Sequence, residues 1–350
     1  MKLFFSPDQL LHRPQQYFRF GKIGAAVENP SRMETLAGSL AGLGLDRVEP
    51  EDHGREPILA VHDAAYLDFL ERIWGLWTQL PDAGPEVLPN IHPYRGAGPD
   101  LFRADRPRNT GAIGLAGFHI GDMSCAMGPG TFASAYASAQ AAISGAKALL
   151  AGDRRALALC RPPGHHCYRD RANGFCFLNN AAIAAELLRE RFGKVAILDF
   201  DTHHGDGTQA IFYARGDVLV ASCHTDPTDY YPFFAGHADE RGHGAGEGAN
   251  LNITLSPGVG DAAYLEAAQG LAKAVQAFGA EALIVSAGWD AHRDDPLSRL
   301  TVTSEAYPRL GAMMAGLGLP TLIVQEGGYS LAAIADAAPS FITAFLGGHR

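Results

Sequence analysis

Apolar positions in the second half of the chain fall into two alternating kinds of run. Short runs rich in β-branched residues, at 156–160, 195–201, 218–223, 282–287 and 321–325, have too few polar positions for a half-solvated strand. They predict strands buried on both faces. Between them, apolar residues recur three or four apart: Tyr264, Leu265, Ala268, Leu271, Val275 and Phe278 follow a capping Asp261 and stop at Gly279. Residues 181–192 stop likewise at Gly193, and 305–317 open after Ser304 and stop at Gly318. An alanine-rich stretch after Thr131 predicts a fourth helix whose small side chains suit close packing. Strand and helix in alternation imply an α/β fold with a central, mostly parallel sheet flanked by helices.

Two stretches, 81–129 and 225–248, show no period and read as long loops at the rim of a site or a subunit contact. No repeat, linker or break in composition divides the chain, so residues 1–350 are expected to form one domain.

Composition narrows the possible functions. Apolar residues make up 47% of the chain and charged ones 19%, a globular mixture able to build a large core. The 28 Lys and Arg against 38 Asp and Glu leave a net charge of −10 with no basic cluster. That argues against binding nucleic acid and favours approach of a cationic ligand. Five cysteines with no C-x-x-C pair point to a reducing compartment, hence the cytoplasm. The opening residues 1–5 are cut short by Ser6-Pro7-Asp8, unlike a signal peptide, and the uncharged stretch 128–146 is too polar for a membrane span.

Candidate chemistry concentrates at strand ends. The run Asp199-Phe200-Asp201-Thr202-His203-His204-Gly205-Asp206 puts three acids and two histidines into eight positions after an apolar strand. Ligands bind at the carboxyl edge of an open parallel sheet. Strand alternation would turn Asp199, Asp201 and His203 to one side, and so many ionisable groups beside an apolar strand need a cation or partners. Carboxylate plus imidazole without thiolate suits a catalytic zinc or another divalent metal. A second run, Arg161-Pro162-Pro163-Gly164-His165-His166, holds two imidazoles on a stiff turn. Later strand ends offer Gly288-Trp289-Asp290 and Glu326-Gly327-Gly328-Tyr329. An aspartate there could complete a metal shell, although spacing does not select Asp290 over Asp294 or Asp295, and the phenol could donate to developing negative charge.

In strict order over residues 156–330, the motifs R-P-P-G-H-H, N-G-F-C-F-L-N-N, D-F-D-T-H-H-G-D-G-T, G-W-D with D-D-P-L, and E-G-G-Y resemble the zinc-dependent deacetylases of the arginase-deacetylase fold. These include histone deacetylases and acetylpolyamine amidohydrolases. The resemblance implies a three-layer domain that removes an acetyl or related acyl group from an acetylated amine, an acetylpolyamine or acetyl-lysine. It implies one catalytic zinc on Asp201, His203 and Asp290, His166 as general base, His165 as an electrostatic partner, and Tyr329 as donor to the carbonyl oxygen. Asp199 would pair with His165 and Asp206 with His166. A structural potassium would involve Asp199 and Ser222.

Gly174, Phe175, Tyr231 and Leu297 fall where the family lines a narrow channel, with Tyr231 in place of the usual phenylalanine. Asn29-Pro30-Ser31-Arg32 and Val61-His62-Asp63 resemble the bacterial acetylpolyamine branch, in which an insertion, here at about 81–128, narrows the mouth and helps form a homodimer. Acids of that insertion read a cationic substrate. The matching positions near Thr110 and Ser124 are uncharged here, leaving Asp122 as the nearby candidate. The alternatives are an arginase-like dinuclear-manganese ureohydrolase and a non-catalytic module that binds an acetylated amine.

Overall fold

The computed structural model describes residues 1–93 and 111–348. Its strands are β1 (Lys2–Phe4), β2 (Gln16–Arg19), β3 (Lys22–Ala25), β4 (Asp46–Val48), β5 (Arg155–Ala158), β6 (Val195–Asp199), β7 (Val218–Thr225), β8 (Asn250–Leu255), β9 (Ala282–Ala287) and β10 (Thr321–Gln325). Eight of them form one sheet in the order β4-β1-β5-β10-β9-β6-β7-β8, and every pairing in it is parallel. Helices cover both faces.

The strands are apolar because each face packs into its own core. Along β6, Val195 and Ile197 join one cluster while Ala196 and Leu198 join the other, and β9 divides Ala282 and Ile284 from Leu283 and Val285 in the same way. Each fully buried Leu, Ile or Val contributes about 1.5–3 kcal/mol over its exposed form. A single slip in register would swap the two sets. Helices Thr131–Leu150 and Asn180–Leu188 pack on the first side, and Asp261–Phe278, Ala306–Gly316 and Leu331–Gly347 on the second. No helix among the described residues is long and apolar enough to cross a membrane.

The five expected strands and four helices are present, β9 and β10 with the expected ends and most of the others with shifted ones. The strand expected at 195–201 stops at Asp199, and the helix expected at 181–192 spans Asn180–Leu188. Asp261 is the first helical residue, not the cap, and its carboxylate accepts from the Thr303 amide and hydroxyl instead. The stretch 81–129 contains a helix at Ala112–His119, so it is not all loop, and residues 94–110 of the expected insertion lie outside the described residues. Away from the sheet, β2 and β3 form a hairpin whose turn residues Phe20 and Gly21 have φ of 49° and 75°. Both signs suit a two-residue hairpin turn.

A buried ion network ties the first 32 residues to the proline-rich turn. Glu28 is wholly buried and takes Arg161 in fork geometry, with Nε 2.8 Å from Oε1 and Nη2 3.1 Å from Oε2. The Arg32 Nη1 donates to the same Oε1 at 2.9 Å. Arg161 also donates to the carbonyls of Gln9 and His12, while Arg32 donates to those of Glu326 and Gly328. One carboxylate thus fixes the R-P-P-G turn and the E-G-G-Y turn together. Removing it leaves two guanidinium groups buried with one charge partner fewer, and Glu28→Ala should destabilise the chain by about 3–5 kcal/mol. Urea unfolding is the measurement, and a loss below about 1 kcal/mol would contradict this role.

Candidate active site

All strands of the sheet point the same way, so the turns after β5, β6, β7, β9 and β10 meet at one edge. After Asp199 the chain leaves strand geometry and is held by its own carboxylates. The Asp201 amide donates to Asp199 Oδ1 and the His203 amide to Asp201 Oδ1, each at 2.9 Å. These are side-chain turns of the Asx kind. The expected strand alternation is therefore replaced beyond Asp199 by a tighter device that brings Asp201 and His203 inward.

Asp201, His203 and Asp290 converge. Their ligand atoms all lie within 4.8 Å of one another, and His203 Nδ1 stands 3.1 Å from both Asp201 Oδ1 and Asp290 Oδ2. The second oxygens are held by main-chain amides, Asp201 Oδ2 by Gly327 at 2.9 Å and Asp290 Oδ1 by Thr202 at 3.1 Å. Gly327 has no room for a side chain, since a Cβ there would overlap both carboxylates. Burial works against a charged His203, yet its hydrogen bonds to Asp201 and Asp290 and their charges outweigh it and push it up to about 9. Burial and the Asp201 charge push Asp290 up as well. Two carboxylates and an imidazole so placed favour positive charge between them, and the donor set of two oxygens and one nitrogen fits a divalent metal with positions left open.

The two histidines of the second run differ. His165 Nδ1 lies 3.0 Å from Asp199 Oδ2, and His166 Nδ1 lies 2.7 Å from Asp206 Oδ1. For His165 burial is opposed by the Asp201 and Asp199 charges, which hold it well above the ordinary range. His166 is held well below that range by burial and then by its histidine neighbours, so it stays neutral and can accept a proton. With Nδ1 committed to Asp206, the atom left for proton transfer is Nε2.

A cleft of about 590 Å³ opens above this floor, and Asp122, His166, Gly174, Phe175, Tyr231, Leu297 and Tyr329 all line it. Phe175 sits at φ 67°, a strained conformation for a bulky residue, with its ring 5.6 Å from that of Tyr329. Gly174, at φ 53°, lies so close to His166 that a Cβ would overlap the imidazole. The Tyr231 ring stands edge-on to His166 at 4.9 Å, and Tyr230 stacks on His203 at 4.8 Å. Asp122 accepts from Ser124, Gly174 and Tyr231. Ser222 lies opposite Asp199 in the β6–β7 register, and its hydroxyl meets His224 Nδ1 at 2.8 Å.

Several contributors escaped the sequence reading. Tyr168 and Asn173 donate to Asp206 Oδ2 at 2.9 and 3.1 Å, steadying the partner of His166. Glu326 Oε2 accepts the Gly164 and His165 amides, while burial pushes its carboxyl up to about 7. Asp295 accepts from the Leu297, Tyr329 and Ser330 amides. Arg32 lies 4.6 Å from the centre of the Tyr329 ring. Asp290, Asp294 and Asp295 are thereby separated, since the first joins the trio, the third orders the Tyr329 turn, and Asp294 faces solvent. Glu326, Asp295, Asn173 and Arg32 lie in runs the sequence already marks, though without these roles, and nothing local marks Tyr168.

Comparison with known proteins gives the family. The sequence profile of the histone deacetylase domain matches residues 26–345. The chain is 44% identical to an acetylpolyamine amidohydrolase of Burkholderia pseudomallei (strain 1710b), covering 99% of this chain and 98% of that one. It is 42% identical to acetylpolyamine amidohydrolase 1 of Pseudomonas aeruginosa, covering 99% of each. The crystal structure of an acetylpolyamine aminohydrolase from Burkholderia pseudomallei superposes with a TM-score of 0.95 at 44% identity over 99% of both chains.

If the trio is the metal centre, losing one of its three side chains should weaken metal binding by more than the roughly 10- to 100-fold typical of losing an outer partner. Asp290→Ala should therefore fail to compete for zinc against a chromogenic chelator that the unaltered protein outcompetes. Equal zinc affinity in the two proteins would remove the trio as the metal centre.

Proposed function

The chain belongs to the histone deacetylase family and is a deacetylase, and on that premise we propose that it hydrolyses small acetylated amines of the acetylpolyamine kind at a single zinc held by Asp201, His203 and Asp290. The observation that carries this reading is the Asp201–His203–Asp290 trio beside the His166–Asp206 pair, with His166, His203 and Asp206 lining the cleft. The names of the full-length relatives favour acetylpolyamines over acetyl-lysine. When bound, a divalent zinc supplies a Lewis acid that polarises the amide carbonyl and acidifies water.

The chain's own groups do the rest. His166 Nε2 takes a proton from the attacking water as oxygen bonds to the acetyl carbon, and returns it to the amine nitrogen as the C–N bond breaks. Asp206, itself held by Tyr168 and Asn173, keeps the proton on Nδ1. His165 places positive charge beside Asp199 and Asp201 and offsets their repulsion. Tyr329 donates its O–H to the carbonyl oxygen, which gains charge in the transition state. Phe175 and Tyr231 flank the methylene arm, with Gly174 admitting it close to His166 and Leu297 on the far wall.

A dinuclear ureohydrolase fits less well. The second cluster of potential ligands among the described residues, His165, Cys176 and Glu326, shares no side chain with the first, and Glu326 is occupied by two amides and the Ser286 hydroxyl. A non-catalytic module would have no use for a neutral His166 beside the trio. The adjacency of Asp199 and Ser222 supports a potassium ion beneath the site, and five free buried cysteines support a cytoplasmic location.

The test is turnover of N-acetylputrescine and an acetyl-lysine peptide by the zinc-loaded chain, with and without a chelator. Tyr329→Phe should lower kcat by roughly 100- to 1,000-fold with little change in KM. Activity that survives chelation, or a Tyr329→Phe variant of undiminished kcat, would overturn the mechanism.

A further inference from the structure

Asp122 stands where a carboxylate could read a distant ammonium group, and Tyr231 stands where an aromatic wall is expected, but the two side chains bond to each other. Tyr231 donates its hydroxyl to Asp122 Oδ2 at 2.6 Å, and the Gly174 amide donates to the same oxygen at 3.0 Å. Asp122 Oδ1 accepts the Ser124 amide and hydroxyl at 2.8 and 2.5 Å. The Ser124 hydroxyl oxygen in turn accepts from the Phe175 amide at 3.3 Å. Three separate segments, carrying Asp122 and Ser124, Gly174 and Phe175, and Tyr231, therefore meet on one carboxylate. Each of these residues lines the cleft.

We propose that the Asp122–Tyr231 hydrogen bond is a specificity-determining clasp that ties one wall of the channel to the other and limits its girth to an unbranched methylene arm. Asp122 is then a positioning residue and not a reader of the substrate's far amine. Four donors already face its two oxygens, so its charge is largely committed within the protein. A hydrogen bond from a phenol to a carboxylate at 2.6 Å is of the strong, charge-assisted class. It holds the Tyr231 ring edge-on to His166 from one side, while the Gly174 and Ser124 bonds keep Phe175 in its left-handed conformation from the other. Phenylalanine at 231 would keep an aromatic ring there and remove only the tie.

This inference rests on the deacetylase reading, and the experiment separates the two. The zinc-loaded chain, Tyr231→Phe, Asp122→Ala and the double variant are compared on N-hexylacetamide, an isomer with the same carbons branched near the nitrogen, and N-acetylputrescine. In parallel, calorimetry gives the affinities of a linear and a branched alkyl hydroxamic acid of equal carbon number, whose chelating heads need no turnover.

The clasp predicts that the linear-over-branched preference, in kcat/KM and in hydroxamate affinity, falls about tenfold in Tyr231→Phe and in Asp122→Ala, with no further fall in the double variant. Should Asp122→Ala prove unstable, Tyr231→Phe decides alone. An unchanged preference in Tyr231→Phe overturns the clasp. So does a rise in KM for N-acetylputrescine in Asp122→Ala that N-hexylacetamide does not share, because Asp122 would then be reading the ammonium. If the unaltered chain turns over no acetamide, the deacetylase reading fails, and the hydroxamate preference still decides the clasp.

Discussion

Carboxylates crowded out of water at one edge of a parallel sheet are the constraint on which this molecule turns. Asp199, Asp201, Asp290 and Glu326 are all nearly or wholly buried, and like charges in so dry a place repel strongly. Each is answered by something specific: an imidazole, a main-chain amide, or the room for a cation. The amide of Gly327 serves Asp201, that of Thr202 serves Asp290, and those of Gly164 and His165 serve Glu326. The turns after the strands thus take shapes that point their N–H groups inward. Glycine at 327 follows from the same need, because any side chain would occupy the space the carboxylates require.

How legible this was depended on whether the partners were near in sequence. The buried strands β6, β9 and β10 could be read because both faces are apolar, so their composition alone reveals them. β1 and β4 have three residues each, and β8 carries asparagines at 250 and 252, so none shows a continuous apolar run. The helix at Ala112–His119 is apolar on all sides and has no polar stripe to give its period away. Asp201 and His203 stood out because five ionisable groups share one short run. Choosing Asp290 among three nearby aspartates needed either the family resemblance or the coordinates, since each follows the same strand end.

What the sequence reading missed are pairings across long separations. Glu28 meets Arg161 across 133 residues, Tyr168 meets Asp206 across 38, and Asp122 meets Tyr231 across 109. None leaves a local pattern, because each depends on where separate loops arrive. The Arg32 and Glu28 network matters for the same reason. It lies in the least motif-rich part of the chain, yet it grips the carbonyls of the E-G-G-Y turn, and the Arg32 guanidinium rests on the Tyr329 ring.

Asp295 couples two tasks that a designer would prefer to keep apart. One oxygen accepts the amide of Leu297 on the far wall of the channel, and the other accepts the amides of Tyr329 and Ser330. The turn that brings Leu297 to the cleft and the turn that brings the Tyr329 phenol there are therefore two ends of a single lever. A substitution at Asp295 would disturb both turns at once, and the Tyr230 hydroxyl, which donates to the Leu297 carbonyl at 2.6 Å, carries the disturbance on to the 230–235 segment.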